Sequence, residues 1–288
     1  MKKKSKVGIG KILYKIFFVF SLIVLSTYVL LPLVNMALAS VKPLEDIQII
    51  SDSFIPKKFD FGTYSRMWKT VPLLKYIKNT LIVVGISTLL SVTISVFVGY
   101  VLNRFKFRGQ KIFGNALIFA QMLPGILLLL PLYMLYMVIT DKTGIQLAGT
   151  YQGLIITYMT FSLPFSIWMM RSYYQSIPVE MDEAAYIDGC GQLRTLIQII
   201  LPVARPGVIG VTIYSFMVGW EEIMFASVLT SDETQTISVG LRNYQSAQIV
   251  YWNEMLAAAM TVTVPVVILF MFFQKYLVQG LTAGSVKG

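Results

Sequence analysis

Six stretches of this sequence are long and apolar enough, or nearly so, to cross a lipid bilayer as helices: residues 12–33, 81–102, 112–138, 154–170, 208–229 and 257–278. A hydrocarbon core takes roughly 20 helical residues. Inside it every backbone N–H and C=O must find its partner within the protein, so a run of this kind folds as an α-helix. Composition excludes burial in a soluble core: 56% of the chain is hydrophobic and only 13% charged, whereas soluble domains carry about a quarter charged residues. The expected fold is an all-α integral membrane protein with six transmembrane helices, one membrane domain over 1–288 with no internal repeat or heptad run.

Charge sets the orientation. Lys2, Lys3, Lys4, Lys6, Lys11 and Lys15 accompany the first span, and Arg104, Lys106, Arg108 and Lys111 fill the link between the second and third. Basic links face the cytoplasm. The opposite links carry one basic residue each, Lys142 and Arg242, so both termini and the loop 171–204 are expected inside. Segment 40–78 and loop 231–254 then lie outside. The external segment carries Tyr64, Trp68 and Tyr76 for an interfacial helix with one wet ring edge. Residues 12–33 read as an uncleaved anchor, because Pro32 interrupts the apolar run before the cleavage-like Ala37-Leu38-Ala39.

The net charge of +10 belongs to these topogenic runs and to membrane lipid headgroups, and no nucleic-acid partner is expected. With no histidine and a single cysteine, Cys190, the chain cannot hold His-ligated metal, a Ser-His dyad or an internal disulfide. It also lacks the G-x-x-x-x-G-K-[ST] phosphate loop. An enzyme is not expected.

One polar loop stands between apolar spans. Pro178 suits a helix start, Met181, Ala184 and Ala185 are expected on one face, and Asp188-Gly189 suits a stop in which glycine takes the left-handed conformation. Leu193, Leu196, Ile197, Ile200 and Leu201 follow at amphipathic spacing and Pro202 is expected to end that second helix. Glu183-Ala184-Ala185, three residues, Gly189, nine residues, then Ile199, Leu201 and Pro202 together resemble the signature of ABC importer permeases. In that family the loop is a coupling helix docked on an ATPase subunit. The resemblance therefore implies coupling roles for Glu183, Ala184, Ala185, Gly189, Ile199, Leu201 and Pro202.

Further stretches resemble the carbohydrate-uptake branch, in particular the second, six-span permease of maltose-type systems. These are Lys78-Asn79-Thr80-Leu81, Arg104 through Gly109, Gln121 to Pro124, Ile177-Pro178 and the glycine-containing tail 280–288. The resemblance implies a partner set: a second homologous permease, two ATP-binding subunits that carry ATP and Mg, an extracellular or periplasmic sugar-binding protein, and a sugar or oligosaccharide substrate. No cofactor or metal is expected on this chain. It also implies that Gly284, Ser285, Val286, Lys287 and Gly288 reach the ATPase interface. Trp220-Glu221-Glu222 departs from the usual Trp-Asn-Glu, and two carboxylates in an apolar run either face a pathway or subunit interface or snorkel to wet headgroups. The alternative within the family is an importer of amino acids, peptides or polyamines, which shares the loop but not the tail.

Overall fold

The computed structural model describes residues 9–48 and 54–282. In chain order its α-helices are α1 (Ile9–Ser40), α2 (Leu44–Gln48), α3 (Thr63–Thr70), α4 (Leu73–Arg104), α5 (Gln110–Met122), α6 (Leu129–Thr143), α7 (Tyr151–Gln175), α8 (Glu180–Ile187), α9 (Gln192–Thr195), α10 (Leu201–Val203), α11 (Arg205–Glu221), α12 (Met224–Leu229), α13 (Ile237–Gly240) and α14 (Trp252–Thr282). Among the described residues there is no strand, only one antiparallel bridge between Gln245 and Val250. Five helical segments are long and apolar enough to span a membrane, and the bent pair Gln192–Val203 with Arg205–Glu221 supplies a sixth if counted as one broken span.

The chain divides into two compact units, the first made of 1–70 with 244–261 and the second of 71–243 with 262–288. In the first unit the apolar window of α1 is 0% buried, a surface that only lipid or another protein can cover. Pro32 does not interrupt it: α1 runs through Pro32 and through Ala37-Leu38-Ala39. The segment after α1 is held by side chains. Ser40 and Tyr64 share a hydroxyl hydrogen bond of 2.9 Å, Tyr244 Oη donates to the Met67 carbonyl at 2.6 Å, and Arg66 pairs with Asp60 at 2.6 Å. The Arg66 guanidinium holds the Asp60 carboxyl below its usual range. Tyr64 is half-buried and Trp68 is exposed.

In the second unit α4 and α7 lie side by side with α11 across them. Gly99 permits this: a Cβ there would stand 2.8 Å from Met170 Cβ and 3.1 Å from the Arg171 backbone nitrogen. Paired hydroxyls bridge the same seams, Ser91 with Ser162 at 2.8 Å and Ser166 with Ser215 at 3.0 Å, the small-residue packing that membrane helices use. Tyr76, expected at a wet interface, instead sits 4% exposed in α4, its hydroxyl accepting from Asn243 Nδ2 at 2.7 Å.

Two expected spans are broken. The run 112–138 divides into α5, a 3-10 turn at Gly125–Leu128 and α6, because Pro124 removes a donor from the ladder. The run 208–229 ends as α11 at Glu221, and a separate α12 begins at Met224.

Candidate functional site

The site sits where α7 ends. Ser176 and Ile177 turn back onto the last turn of α7, their N–H groups donating to Tyr173 and Tyr174 carbonyls at 3.0 and 3.1 Å. From there α8 runs to Ile187, and Gly189, at φ +83°, reverses the chain. This left-handed conformation costs an L side chain about 1–2 kcal/mol. The Cys190 N–H donates to the Ala185 carbonyl at 2.9 Å, closing the helix end.

The return arm is one continuous helical run over Gln192–Val203. Its middle, Leu196–Ile200, is a π-turn in which the Leu201 N–H reaches back to the Leu196 carbonyl. Pro202, expected to end this helix, lies within it. The five-residue register absorbs a position without a donor, a use to which π-turns are well suited. The actual break follows at Ala204, where the run meets α11 at 81°. Pro206, four residues after Pro202, cannot donate to the Pro202 carbonyl, so the ladder has no rung there.

The loop has an inner and an outer face. Inward point Ala185, Leu196, Ile200 and Ala204, all at most 3% exposed, together with the half-buried Met181, Ile199 and Leu201; all but Ala185 join the core formed by Tyr100, Met170 and Tyr174. Outward point Glu180, Glu183, Ala184, Tyr186, Ile187, Asp188 and Gly189 on the first arm, with Leu193, Arg194 and Ile197 on the second. Ile187 is 87% exposed and Leu193 60%. Ala184 and Ala185 therefore do not share a face: adjacent helical residues diverge by about 100°, and only Ala184 faces out. Likewise the expected apolar stripe splits, with Leu196 and Ile200 inside and Leu193 and Ile197 outside. Pro202 is exposed.

Beneath the loop lies a polar cluster that no sequence motif announces. Arg104, the last residue of α4, pairs through Nε with Asp182 Oδ2 at 2.9 Å, both side chains under a tenth exposed. Its Nη2 donates to the Ile177 carbonyl at 2.9 Å and the Pro178 carbonyl at 3.5 Å. Tyr100 Oη donates to Asp182 Oδ1 at 2.6 Å. The planar guanidinium fork suits such simultaneous contacts. The one available signal is that Arg104 is the first charged residue after an apolar run and Asp182 sits one before Glu183.

Of the other candidates, Glu221 is exposed at the end of α11 and Glu222 is half-buried at the break. The Glu222 carboxylate accepts the Phe225 and Ala226 N–H groups at 2.8 Å each, capping the short α12 as an acidic N-cap does. Tyr136 and Tyr158 are core residues, each 2% exposed, Tyr136 donating to the Gly153 carbonyl at 3.1 Å. An apolar groove of about 360 Å3 lies between Phe216 of α11 and Phe270 of α14. Gly284, Ser285, Val286, Lys287 and Gly288 lie outside the described residues. No group of three or more potential metal ligands occurs among the described residues.

At the opposite end of the second unit, Asn79 of α4 donates to the Glu233 and Gln235 carbonyls, both at 2.9 Å, and accepts from Tyr151 Oη at 2.7 Å. Thr80 Oγ1 accepts the Ile237 N–H at 2.7 Å. Lys75 adds an ion pair with Glu233 at 2.7 Å.

A family model described as the binding-protein-dependent transport system inner membrane component matches residues 91–283. The trehalose/maltose transport system permease protein MalG of Thermococcus litoralis is 32% identical over 282 residues, which are 96% of this chain and 99% of that protein. Among solved structures, a bacterial ABC transporter involved in the import of the acidic polysaccharide alginate superposes with a TM-score of 0.78 at 21% identity, over 95% of this chain and 99% of that one. The alginate transporter in complex with an alginate pentasaccharide-bound periplasmic protein superposes at 0.67 and 15% identity, covering 92% and 95%.

Proposed function

Because the chain belongs to the binding-protein-dependent transport system inner membrane component family, we propose that it is a permease subunit of an ATP-driven importer for a sugar or oligosaccharide. The relative from Thermococcus is named for trehalose and maltose, and one of the fold neighbours holds a periplasmic protein loaded with an alginate pentasaccharide. On this reading the substrate arrives on a binding protein outside the membrane. A second permease completes the pathway, and two ATP-binding subunits supply ATP hydrolysis from the cytoplasm.

The observation that carries the reading is the division of the 180–203 loop into two faces. Its inner face is packed into the membrane bundle, while its outer face presents Glu183, Ala184, Tyr186, Ile187 and Gly189 to the surface. Large exposed apolar side chains beside acidic Glu180, Glu183 and Asp188 fit a protein partner with a basic rim. A loop so anchored moves as a rigid body with its spans, as an energy-coupling element requires. The contact of Arg104 with Asp182 supports the expected topology, because it brings the basic link 104–111 and this loop to the same end of the second unit. Both termini are then cytoplasmic. The reading is tested by purifying the chain with its ATP-binding subunits, reconstituting the complex in nanodiscs and measuring ATP hydrolysis with and without the binding protein loaded with maltose or trehalose. Stimulation by one loaded sugar is expected, and an amino acid or polyamine as the sole stimulating ligand would refute the sugar assignment.

A further inference from the structure

Helix α4 grips a loop at each of its ends. At one end Arg104 and Tyr100 hold Asp182 of α8, which follows α4 in the chain only after α5, α6 and α7. At the other end Asn79 and Thr80 hold the backbone of residues 233–237. Both joints are buried: Asn79 and Thr80 are 2% and 1% exposed. Unlike Arg66–Asp60, Arg66–Glu254 and Lys75–Glu233, the Arg104–Asp182 pair has both partners under a tenth exposed. From Asn79 to Arg104 the helix rises about 37 Å at 1.5 Å per residue, more than the hydrocarbon thickness of a bilayer. No proline lies within it, so no donor is missing from its backbone ladder.

A buried ion pair is a costly way to hold two helices, since apolar packing of the same volume is often as stable. What it adds is a fixed register. The Arg104 fork meets Asp182 and the Ile177 and Pro178 carbonyls together, so α8 cannot slide on α4 without breaking several contacts in a dry place. The Asn79 amide does the same outside, with both donors and its acceptor engaged. We infer that α4 is a strut that ties the position of α8 to that of the external loop 231–243, through one buried polar joint at each end. Nucleotide-driven movement of α8 thereby reaches the surface where the binding protein arrives. The inference rests on the coupling role proposed above for this loop.

The test reads the outer loop while the inner joint is cut. In the complete complex with its ATP-binding subunits, carrying Cys190→Ser, an environment-sensitive fluorophore is placed at Asp232→Cys, an exposed position. The probe's response to Mg-ATP with vanadate is then recorded. With the joint intact a nucleotide-dependent change is expected. Asp182→Asn keeps the shape of the side chain and the Tyr100 hydrogen bond but removes the charge; it should cut the response about tenfold, a typical coupling magnitude, while the ATP-binding subunits still copurify. Asp182→Glu should restore it, which a purely structural role would not distinguish from the amide. Should Asp182→Asn fail to assemble, Arg104→Gln, which removes the same ion pair from its other side, carries the test with the same expectation. An undiminished response in either variant overturns the strut. An intact complex that hydrolyses ATP with no response at the outer probe also overturns it, leaving the coupling reading standing, whereas failure to copurify any ATP-binding subunit overturns both.

Discussion

Replacing Asn79 by alanine should free the loop 231–243 and leave the loop 180–203 untouched. The side chain is 2% exposed and makes three hydrogen bonds, two donated to the Glu233 and Gln235 carbonyls and one accepted from Tyr151. Each is worth a net of about 1 kcal/mol, so local opening of the loop becomes easier by about 3 kcal/mol. At 1.4 kcal/mol per factor of ten this is a roughly hundredfold rise in the open population. Hydrogen–deuterium exchange of the complex in nanodiscs reads it directly, because protected amides lie in the loop: Ile237 donates to Thr80 Oγ1 at 2.7 Å and Gly240 to the Thr236 carbonyl at 2.8 Å. The peptide over 231–243 should exchange about two orders of magnitude faster, and the peptide over 180–203 at its original rate. Asn79→Asp, which turns an acceptor-only carboxylate toward the Glu233 and Gln235 carbonyls in a buried place, should open the loop at least as far as alanine does. Unchanged exchange at 231–243 would refute the pinning role, and equal acceleration in both peptides would mean that the whole bundle had loosened.

Reversing charge on the outer face with Glu183→Lys should lower recovery of the ATP-binding subunit about tenfold or more in pull-downs at matched membrane levels; unchanged recovery would remove Glu183 from the interface. Gly189→Pro forces φ from +83° to about −65° and should abolish both association and uptake, with Gly189→Ala intermediate; normal import by the proline variant would refute the reversed turn. Gly99→Leu puts a side chain where even a β-carbon would come within 2.8 Å of Met170 Cβ, so the α4–α7 seam should lose about 1–3 kcal/mol, read as a lower melting temperature in detergent; an unchanged value would contradict the close crossing. Deleting residues 284–288 should leave assembly intact and lower ATP turnover, whereas identical basal and stimulated rates would take the tail out of the mechanism.

Much of this architecture is legible in the residue order alone, and the limits have physical causes. Apolar length marks a membrane helix whatever its neighbours do, so the spans and the helix, glycine turn and second helix of the loop can be read directly. Continuity cannot. Pro32 and Pro202 sit inside helices, while Pro124 ends one, because a missing donor stops a helix only where no neighbouring turn or register shift absorbs it. Facing within the loop is equally hidden: Ala184 and Ala185 are alike in sequence, and only the fold separates them, Ala185 being 2% exposed and Ala184 on the surface. In sequence Arg104 reads as a topogenic charge and Asn79-Thr80 as a matched dipeptide. Their partners, Asp182 and the backbone at 233–237, lie 78 and more than 150 positions along the chain (104 to 182; 79 to 233), and no local pattern reports a contact at that range. Glu222 draws notice in sequence for its charge at depth, while its structural work is to cap α12.

The single cysteine offers the most direct examination of the coupling loop. Cys190 is half-exposed one residue after the Gly189 turn, so the unmodified chain carries a unique attachment point beside the outer face. A maleimide photocrosslinker attached there, in the assembled complex within oriented membrane vesicles, should yield an adduct with an ATP-binding subunit on illumination, and Cys190 should react with impermeant maleimide only from the cytoplasmic side. Efficient labelling from the external side, or illumination that captures the extracellular binding protein in place of the ATP-binding subunit, would contradict the docking face and the topology together.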